Sequence, residues 1–339
     1  MATSPISLAS VHVPLSRYLH EDQEELITPE CKDLMSSLSR GKGWVLIHLY
    51  QYQGFWHTTR QLQGVLACQK MFQAQATDLI LVSTPKSGTT WLKAMAFAIV
   101  NRNRYFCYDD HHPLLTNNPH ELVPFLELKL YVDNNVPDFT NFVHPRLFST
   151  HIPHISLPES IKDLKCKIVY LCRNPKDTLV SLWHFTNKLR PKTLEPLQIE
   201  EAFERFCGGV SLYGPFWDHV LGYWKESLQR PQSILFLKYE DIRDAPKVHL
   251  RKLAEFLGYP FSLEEEKEGV VEELLKLCSF DNLSNLEVNK VGKLSSGEEC
   301  SSFFRKGEVG DWTHYLTSEM IEQLDMITTK MFKGSGLEF

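Results

Sequence analysis

The sequence predicts an α/β fold, a central parallel sheet flanked by helices, on three observations. Short apolar runs of strand length recur along the chain, each is followed by a stretch of helical pattern, and the joins are rich in Gly, Pro, Ser, Thr and Asn. Strands buried on both faces read as unbroken apolar runs, and their alternation with helices is the signature of βαβ units. The chain has 339 residues, which an α/β enzyme can fold as one domain, and no stretch has the composition of an interdomain linker. The expectation is a flexible N-terminal arm over residues 1–25 and one domain over residues 26–339.

The elements follow in order. Residues 1–25 are Ser-rich, carry no acid before Glu21 and lack the apolar core of a secretory signal. They read as a disordered leader; an organelle transit peptide is the lesser alternative, because only Arg17 supplies a guanidinium. Residues 62–75 show apolar positions at helical spacing, and Asp78–Ser83 (DLILVS) is an apolar strand. Trp91–Asn101 is of helical length and apolar nearly all round, as befits a core helix. Arg146–Phe148 is strand-like. Lys167–Cys172 (KIVYLC) is a strand halted near Pro175, with Asp177 placed to cap the helix that follows. Ser233–Tyr239 reads as another strand, and Lys247–Leu257 as an amphipathic helix ended by Gly258. Stretches 103–120, 187–198 and 289–302 are polar and turn-rich, and read as loops over the edge of the sheet.

Composition excludes several classes of function. Hydrophobic residues at 43% and charged residues at 23% describe a globular chain and not a disordered one. A net charge of -6 leaves no global basic field to attract nucleic acid or an anionic membrane, so any anionic ligand must be held by local cations. No apolar run approaches the roughly 18 residues of a membrane span. None of the eight cysteines forms a CxxC pair, and their spacings match neither a zinc site nor a disulfide framework, so they read as reduced thiols of a cytosolic protein.

The segment Pro85-Lys86-Ser87-Gly88-Thr89-Thr90-Trp91 joins a strand to a helix. Gly88 allows close approach of the backbone to a ligand, and the N–H groups at a helix start are free and carry about half a positive charge. Lys86 adds a full charge, and Ser87, Thr89 and Thr90 add hydroxyls. The combination suits a phosphate-like anion. It differs from the GxxxxGK[ST] loop of kinases and ATPases, because Lys86 precedes Gly88 and no Lys-Thr pair is present to hold magnesium. Arg173, at the end of the next strand, offers bidentate phosphate contacts, with Ser181 eight residues on. Arg305-Lys306-Gly307 forms a third cationic cluster, beside Phe304, although by itself it could be a solvated turn. Three separated cationic motifs in an acidic chain point to a ligand with more than one charged end.

Taken together, TPKSGTTW, YLCRNPKDTLVS and FFRKG, in this order, resemble the cytosolic sulfotransferases, which use 3′-phosphoadenosine 5′-phosphosulfate (PAPS). The segments GFWHT at 54–58 and CSFDNLSNLEVNK at 278–290 resemble the plant branch, flavonol sulfotransferases included. The resemblance implies that Lys86, Ser87, Gly88, Thr89 and Thr90 cradle the 5′-phosphosulfate, with Trp91 against the adenine. Arg173 and Ser181 would hold the 3′-phosphate, with Arg305, Lys306 and Gly307 closing on it. Tyr239, Ser279 and Phe280 would reach the adenine. His151, in Ser149-Thr150-His151-Ile152-Pro153, matches the family's catalytic base, and its residue type suits proton abstraction near neutral pH. A metal role for His151 and His154 is disfavoured, since no carboxylate or Cys lies beside them, and no metal is expected.

The implied activity is transfer of a sulfuryl group from PAPS to a hydroxyl of a small acceptor, a flavonoid or another plant phenolic or hormone. His151 would take the proton and Lys86 would stabilise the leaving group, with Ser181 restraining Lys86 beforehand. Phe55, Trp56, Phe72, Phe142, Phe216 and Trp217 are the candidates for an aromatic acceptor pocket, although each taken singly suits a core equally. Departures from animal members are Ser149 in place of a lysine, Thr84 in place of a tyrosine, and Thr313 and Ser318 in place of dimer-motif residues. A monomer is expected. The competing readings are a nucleotide-dependent kinase and a non-catalytic relative that binds the nucleotide.

Overall fold

The computed structural model describes residues 26–339 apart from Asn141 and Lys165. The arm expected over residues 1–25 lies outside them. Four parallel strands form the centre: β4 (Leu79–Ser83), β5 (Leu147–Thr150), β6 (Lys167–Cys172) and β7 (Ile234–Lys238), side by side in the order β5-β4-β6-β7. Three short strands upstream, β1 (Arg40–Lys42), β2 (His48–Tyr52) and β3 (Phe55–His57), make a separate antiparallel sheet.

Side chains alternate across a strand, and here the alternation sorts them into two cores. Ile80, Val82, Phe148, Ile168, Tyr170 and Ile234 pack with Leu179 and Val180 of helix Pro175–Leu189, Val220 of helix Phe216–Gln229 and Leu324 of helix Ser318–Phe332. Leu79, Leu81, Leu147, Val169, Leu171, Leu235 and Leu237 pack on the other face with helices Thr89–Asn101, Pro246–Leu257 and Val270–Leu277. Burial on both faces is why the strand sequences are continuously apolar.

The expected elements are present with shifted ends. The helix expected over residues 62–75 runs over Thr59–Met71, because Thr58 and Gln61 form a capping box at its start. Helix Pro175–Leu189 is capped by Asn174 and not by Asp177, whose buried carboxylate instead accepts from the Gly310 N–H at 2.9 Å. Helix Pro246–Leu257 ends as expected at Gly258, which has a φ of 92°. The polar stretch 103–120 contains the short helical turns Pro113–Leu115 and Pro119–Leu122.

The β4–β5 pairing is pinned from below by a buried ion pair. Arg146 Nε donates to Asp78 Oδ1 at 2.7 Å and its Nη2 to Oδ2 at 2.5 Å, each residue standing just ahead of its strand. Removing one partner of a buried pair strands the other charge, so Arg146→Met should lower unfolding free energy by about 3–5 kcal/mol. Urea denaturation measures this, and a loss below about 1 kcal/mol would show that the pair does not fasten the two strands.

Candidate active site

The C-terminal ends of the parallel strands share one rim. β5 flanks β4 on one side and β6 on the other, so the crevice expected of an open α/β sheet opens above β4. A cavity of about 490 Å³ lies there, walled by the segments that leave β4, β5, β6 and β7 and by Phe303–Glu308.

The turn after β4 is shaped for an anion. Lys86 has a φ of 68°, Gly88 has a φ of 103°, and the helix beginning at Thr89 has no side-chain cap, which leaves its first N–H groups free. A Cβ at Gly88 would stand 2.7 Å from the Tyr239 ring, so only glycine fits. Ser87 Oγ bonds Thr84 Oγ1 and Thr89 Oγ1 bonds Ser83 Oγ, both at 2.6 Å. These hydroxyls brace the loop, and Ser87, fully buried, is not among the cavity walls, whereas Lys86, Gly88, Thr89, Thr90 and Trp91 are.

Positive charge is gathered here: Arg173 stands 3.6 Å from the buried Asp177 carboxylate, Arg305 and Lys306 share Asp311, and Lys86 has no carboxylate partner among the described residues. Lys86 Nζ rests 4.2 Å from the centre of the Phe185 ring; burial lowers its pKa to about 7, and the neighbouring Lys188, Arg305 and Arg173 add to the shift. No hydrogen bond joins it to Ser181, which lines the same cavity. Arg173 lies 4.4 Å from the centre of the Tyr239 ring, donates through Nη2 to the Glu308 carbonyl, and keeps a buried Nε with no partner. Arg305 also has an unpartnered Nε, while its Nη1 and the Lys306 Nζ are held by Asp311. Asp311 thus places the two cations before any ligand arrives.

The far end is aromatic. Trp91 meets Tyr239 edge-on at 5.4 Å, and Tyr239 Oη donates to the Gly307 carbonyl at 2.9 Å. Gly307 has a φ of 69°, and a Cβ there would stand 2.5 Å from the Phe280 ring. Ser279 caps the helix Phe280–Asn285 by accepting from Asn282 N–H at 3.1 Å, and both Ser279 and Phe280 line the cavity. Free helix-start donors, unpartnered guanidinium nitrogens and flat rings in one cavity fit a planar ligand with two anionic ends.

On the β5 side, His151 is set by its backbone and its ring. Its N–H donates to Glu127 Oε1 at 2.8 Å, its carbonyl lies 2.9 Å from His219 Nε2, and its Nδ1 lies 2.6 Å from the Ser83 carbonyl. A carbonyl only accepts, so Nδ1 carries the proton and Nε2 keeps the lone pair. Burial pushes the His151 pKa down to about 3, aided by Lys93, His219 and Lys86 and opposed by the Ser83 carbonyl. The imidazole is therefore neutral, the state a proton acceptor needs.

The sulfotransferase domain family matches residues 76–336. Cytosolic sulfotransferase 5 of Arabidopsis thaliana is 52% identical over 316 residues, covering 93% of this chain and 98% of its own length. Cytosolic sulfotransferase 12 of the same plant is 51% identical over 317 residues, covering 93% and 96%. The chain belongs to the plant cytosolic sulfotransferase family. Among solved structures, an Arabidopsis thaliana sulphotransferase has a TM-score of 0.73 at 44% identity, over 92% of this chain and 98% of that one. Mouse sulfotransferase SULT7A1, complexed with PAP, has a TM-score of 0.65 at 26% identity, over 85% and 95%. The sulfotransferase reading of the three motifs stands, and the kinase reading is not favoured.

Other parts of the sulfotransferase differ from expectation. Phe55, Trp56, Phe142, Phe216 and Trp217 do not line the cavity, and neither does Phe72. Phe55 packs edge-on to His219, Trp56 is half-buried against the core, Phe142 lies against Phe139 and Phe148, and Phe216 and Trp217 are buried against Phe206. The rings beside His151 are Phe125 at 4.7 Å and Tyr213 at 5.4 Å. Tyr213 carried a signal in its Gly- and Pro-rich surroundings, GGVSLYGP, which mark a loop. Phe125 carried none, for it reaches the site through a parallel bridge to Ser149. Among the described residues no cluster of three His, Cys, Asp or Glu side chains could hold a metal ion.

An amine that titrates near neutral pH is nucleophilic where ordinary lysines, near pH 10.4, remain protonated. Lys86 should therefore be acylated selectively by acetic anhydride at about pH 7.5, mapped by peptide mass spectrometry. Modification no faster than at exposed lysines would show that the amine keeps its ordinary proton affinity.

Proposed function

We propose that this sulfotransferase moves the sulfuryl group of PAPS to a hydroxyl of a flat plant phenolic or hydroxylated hormone, flavonols foremost, and does so as a cytosolic monomer. The observation that carries the reading is the convergence of Lys86, Arg173 and Arg305, the two guanidinium groups each keeping an unbonded Nε, in the cavity that also contains His151. When bound, PAPS supplies the activated sulfuryl group on a phosphate leaving group.

The residues have separable tasks. Lys86 and the helix-start N–H groups at Thr89 and Thr90 face the 5′ end, where protonated Lys86 stabilises charge growing on the departing oxygen. Preorganised donors of this kind contribute about 10²–10³ in rate. Arg173, Ser181, Arg305, Lys306 and the Gly307 backbone take the 3′-phosphate, and Trp91, Tyr239, Ser279 and Phe280 border the base. His151 Nε2 accepts the acceptor's hydroxyl proton as its oxygen bonds to sulfur and the sulfur–phosphate oxygen bond breaks. The resulting imidazolium is shared with the Ser83 carbonyl through Nδ1–H. Phe125, Tyr213, Leu212 and Phe303 give the acceptor side apolar walls.

A panel of flavonols, other phenolics, brassinosteroids, hydroxyjasmonate and desulfo-glucosinolates with labelled PAPS tests the reading and ranks the acceptors. Nucleotide binding with no transfer to any of them would favour a non-catalytic relative. His151→Ala should cut turnover by about 10²–10⁴ or more while calorimetry shows adenosine 3′,5′-bisphosphate binding nearly intact. Lost affinity at full turnover would remove His151 from the mechanism. Arg305→Ala should weaken adenosine 3′,5′-bisphosphate by about 10–100-fold and leave adenosine 5′-phosphosulfate almost unaffected. Equal losses for the two would contradict a 3′-phosphate role.

A further inference from the structure

Behind the wall of the anion site stands a buried amine that the mechanism above does not use. Lys93 lies one turn into helix Thr89–Asn101 and is fully buried. Its Nζ is 2.9 Å from His120 Nδ1 and 3.4 Å from the centre of the Phe125 ring. Among the described residues no carboxylate forms an ion pair with it, and Lys93 is not a cavity wall. The other nitrogen of the same imidazole, His120 Nε2, is 2.9 Å from Thr90 Oγ1, and both His120 and Thr90 do line the cavity. The His120 ring is held between Phe125, stacked at 5.4 Å, and Phe303 at 4.3 Å. A continuous run of hydrogen bonds therefore leads from a buried amine to a hydroxyl on the cavity surface.

Such a run has two directions. In one, the Lys93 ammonium donates to Nδ1, Nε2–H donates to Thr90 Oγ1, and the Thr90 O–H is free to donate into the cavity. In the other, neutral Lys93 accepts from Nδ1–H, Thr90 donates its proton to Nε2, and only lone pairs face the cavity. An anion in the cavity favours the first direction and is repelled by the second. A buried ammonium without a counter-ion is costly, so the free protein favours the second.

We propose that Lys93, His120 and Thr90 form a proton-coupled positioning relay, in which the donor's anionic group, on binding, brings a proton onto Lys93 and turns the Thr90 hydroxyl toward the phosphosulfate. The proposal rests on reading the cavity as the donor site. Lys93 and His120 act through Thr90 and touch no reacting atom. Burial holds Lys93 well below the ordinary lysine value; Glu127 and Glu121 favour its protonation and Lys129 opposes it. The His120 imidazole is kept from becoming a cation by burial first, then by Lys93, Lys86, His151 and Lys129.

The test uses the full chain with Lys93→Met and Thr90→Val, singly and together. Calorimetry of adenosine 3′,5′-bisphosphate in buffers of different ionisation enthalpy counts the protons taken up on binding at about pH 8. Lys86 contributes equally in wild type and Lys93→Met, so the difference, expected at up to about one proton, reports Lys93. Each single variant should lower kcat about tenfold with little change in acceptor KM, and the double variant should fall no further than Thr90→Val alone. Should Lys93→Met fail to fold, His120→Phe keeps the stacked ring, cuts the run and must show the same losses. Unchanged proton uptake in Lys93→Met, or losses that multiply in the double variant, would overturn the relay. Failure of the wild-type chain to bind the bisphosphate would instead overturn the donor-site reading.

Discussion

The site depends on positive charge concentrated at one rim of the sheet. Lys86, Arg173 and Arg305 converge on a helix start whose first N–H groups have no cap, although the chain as a whole is acidic. Burial is the main cause that draws Lys86 down toward neutrality, and the nearby Lys188, Arg305 and Arg173 add to it. A cavity in that condition is complementary to an anion before one is present. The carboxylates nearby hold these cations in place: Asp177 accepts from Gly310 N–H and stands 3.6 Å from Arg173, and Asp311 pairs with Arg305 and Lys306.

The same rim holds the candidate base, His151, in a single tautomer. β4 and β5 are neighbours in register, so the carbonyl of Ser83, at the end of β4, faces the ring that follows Thr150 at the end of β5. Strand pairing therefore selects the tautomer. Glu127, buried, ties the backbone of His151 and the hydroxyl of Thr150 together from a third segment.

Much of this was legible in the residues. The four apolar runs became the four parallel strands, and each cationic motif reached the cavity, because an apolar run, a strand-to-helix turn and a glycine with one allowed conformation are local properties. The upstream antiparallel sheet was not foreseen. Its hairpin turns at Gln53-Gly54, with φ values of 50° and 86°, a weaker signal than Asn-Gly between strands of only a few residues. The aromatic acceptor residues were not legible either. Phe216 and Trp217 look the same in sequence whether they face a cavity or a core, and packing sends them to the core.

By itself, then, the chain's order of residues determined the strands of the parallel sheet and the glycine-bearing turn after β4, since each rests on contacts between near neighbours or on residue types with few alternatives. Tertiary structure alone decided which hydroxyls line the cavity and which brace the loop, that Asp311 rather than solvent holds Arg305 and Lys306, and that Phe125 and Tyr213 flank the imidazole. Those outcomes depend on segments distant in sequence meeting at one rim, and no local pattern encodes the distance between them.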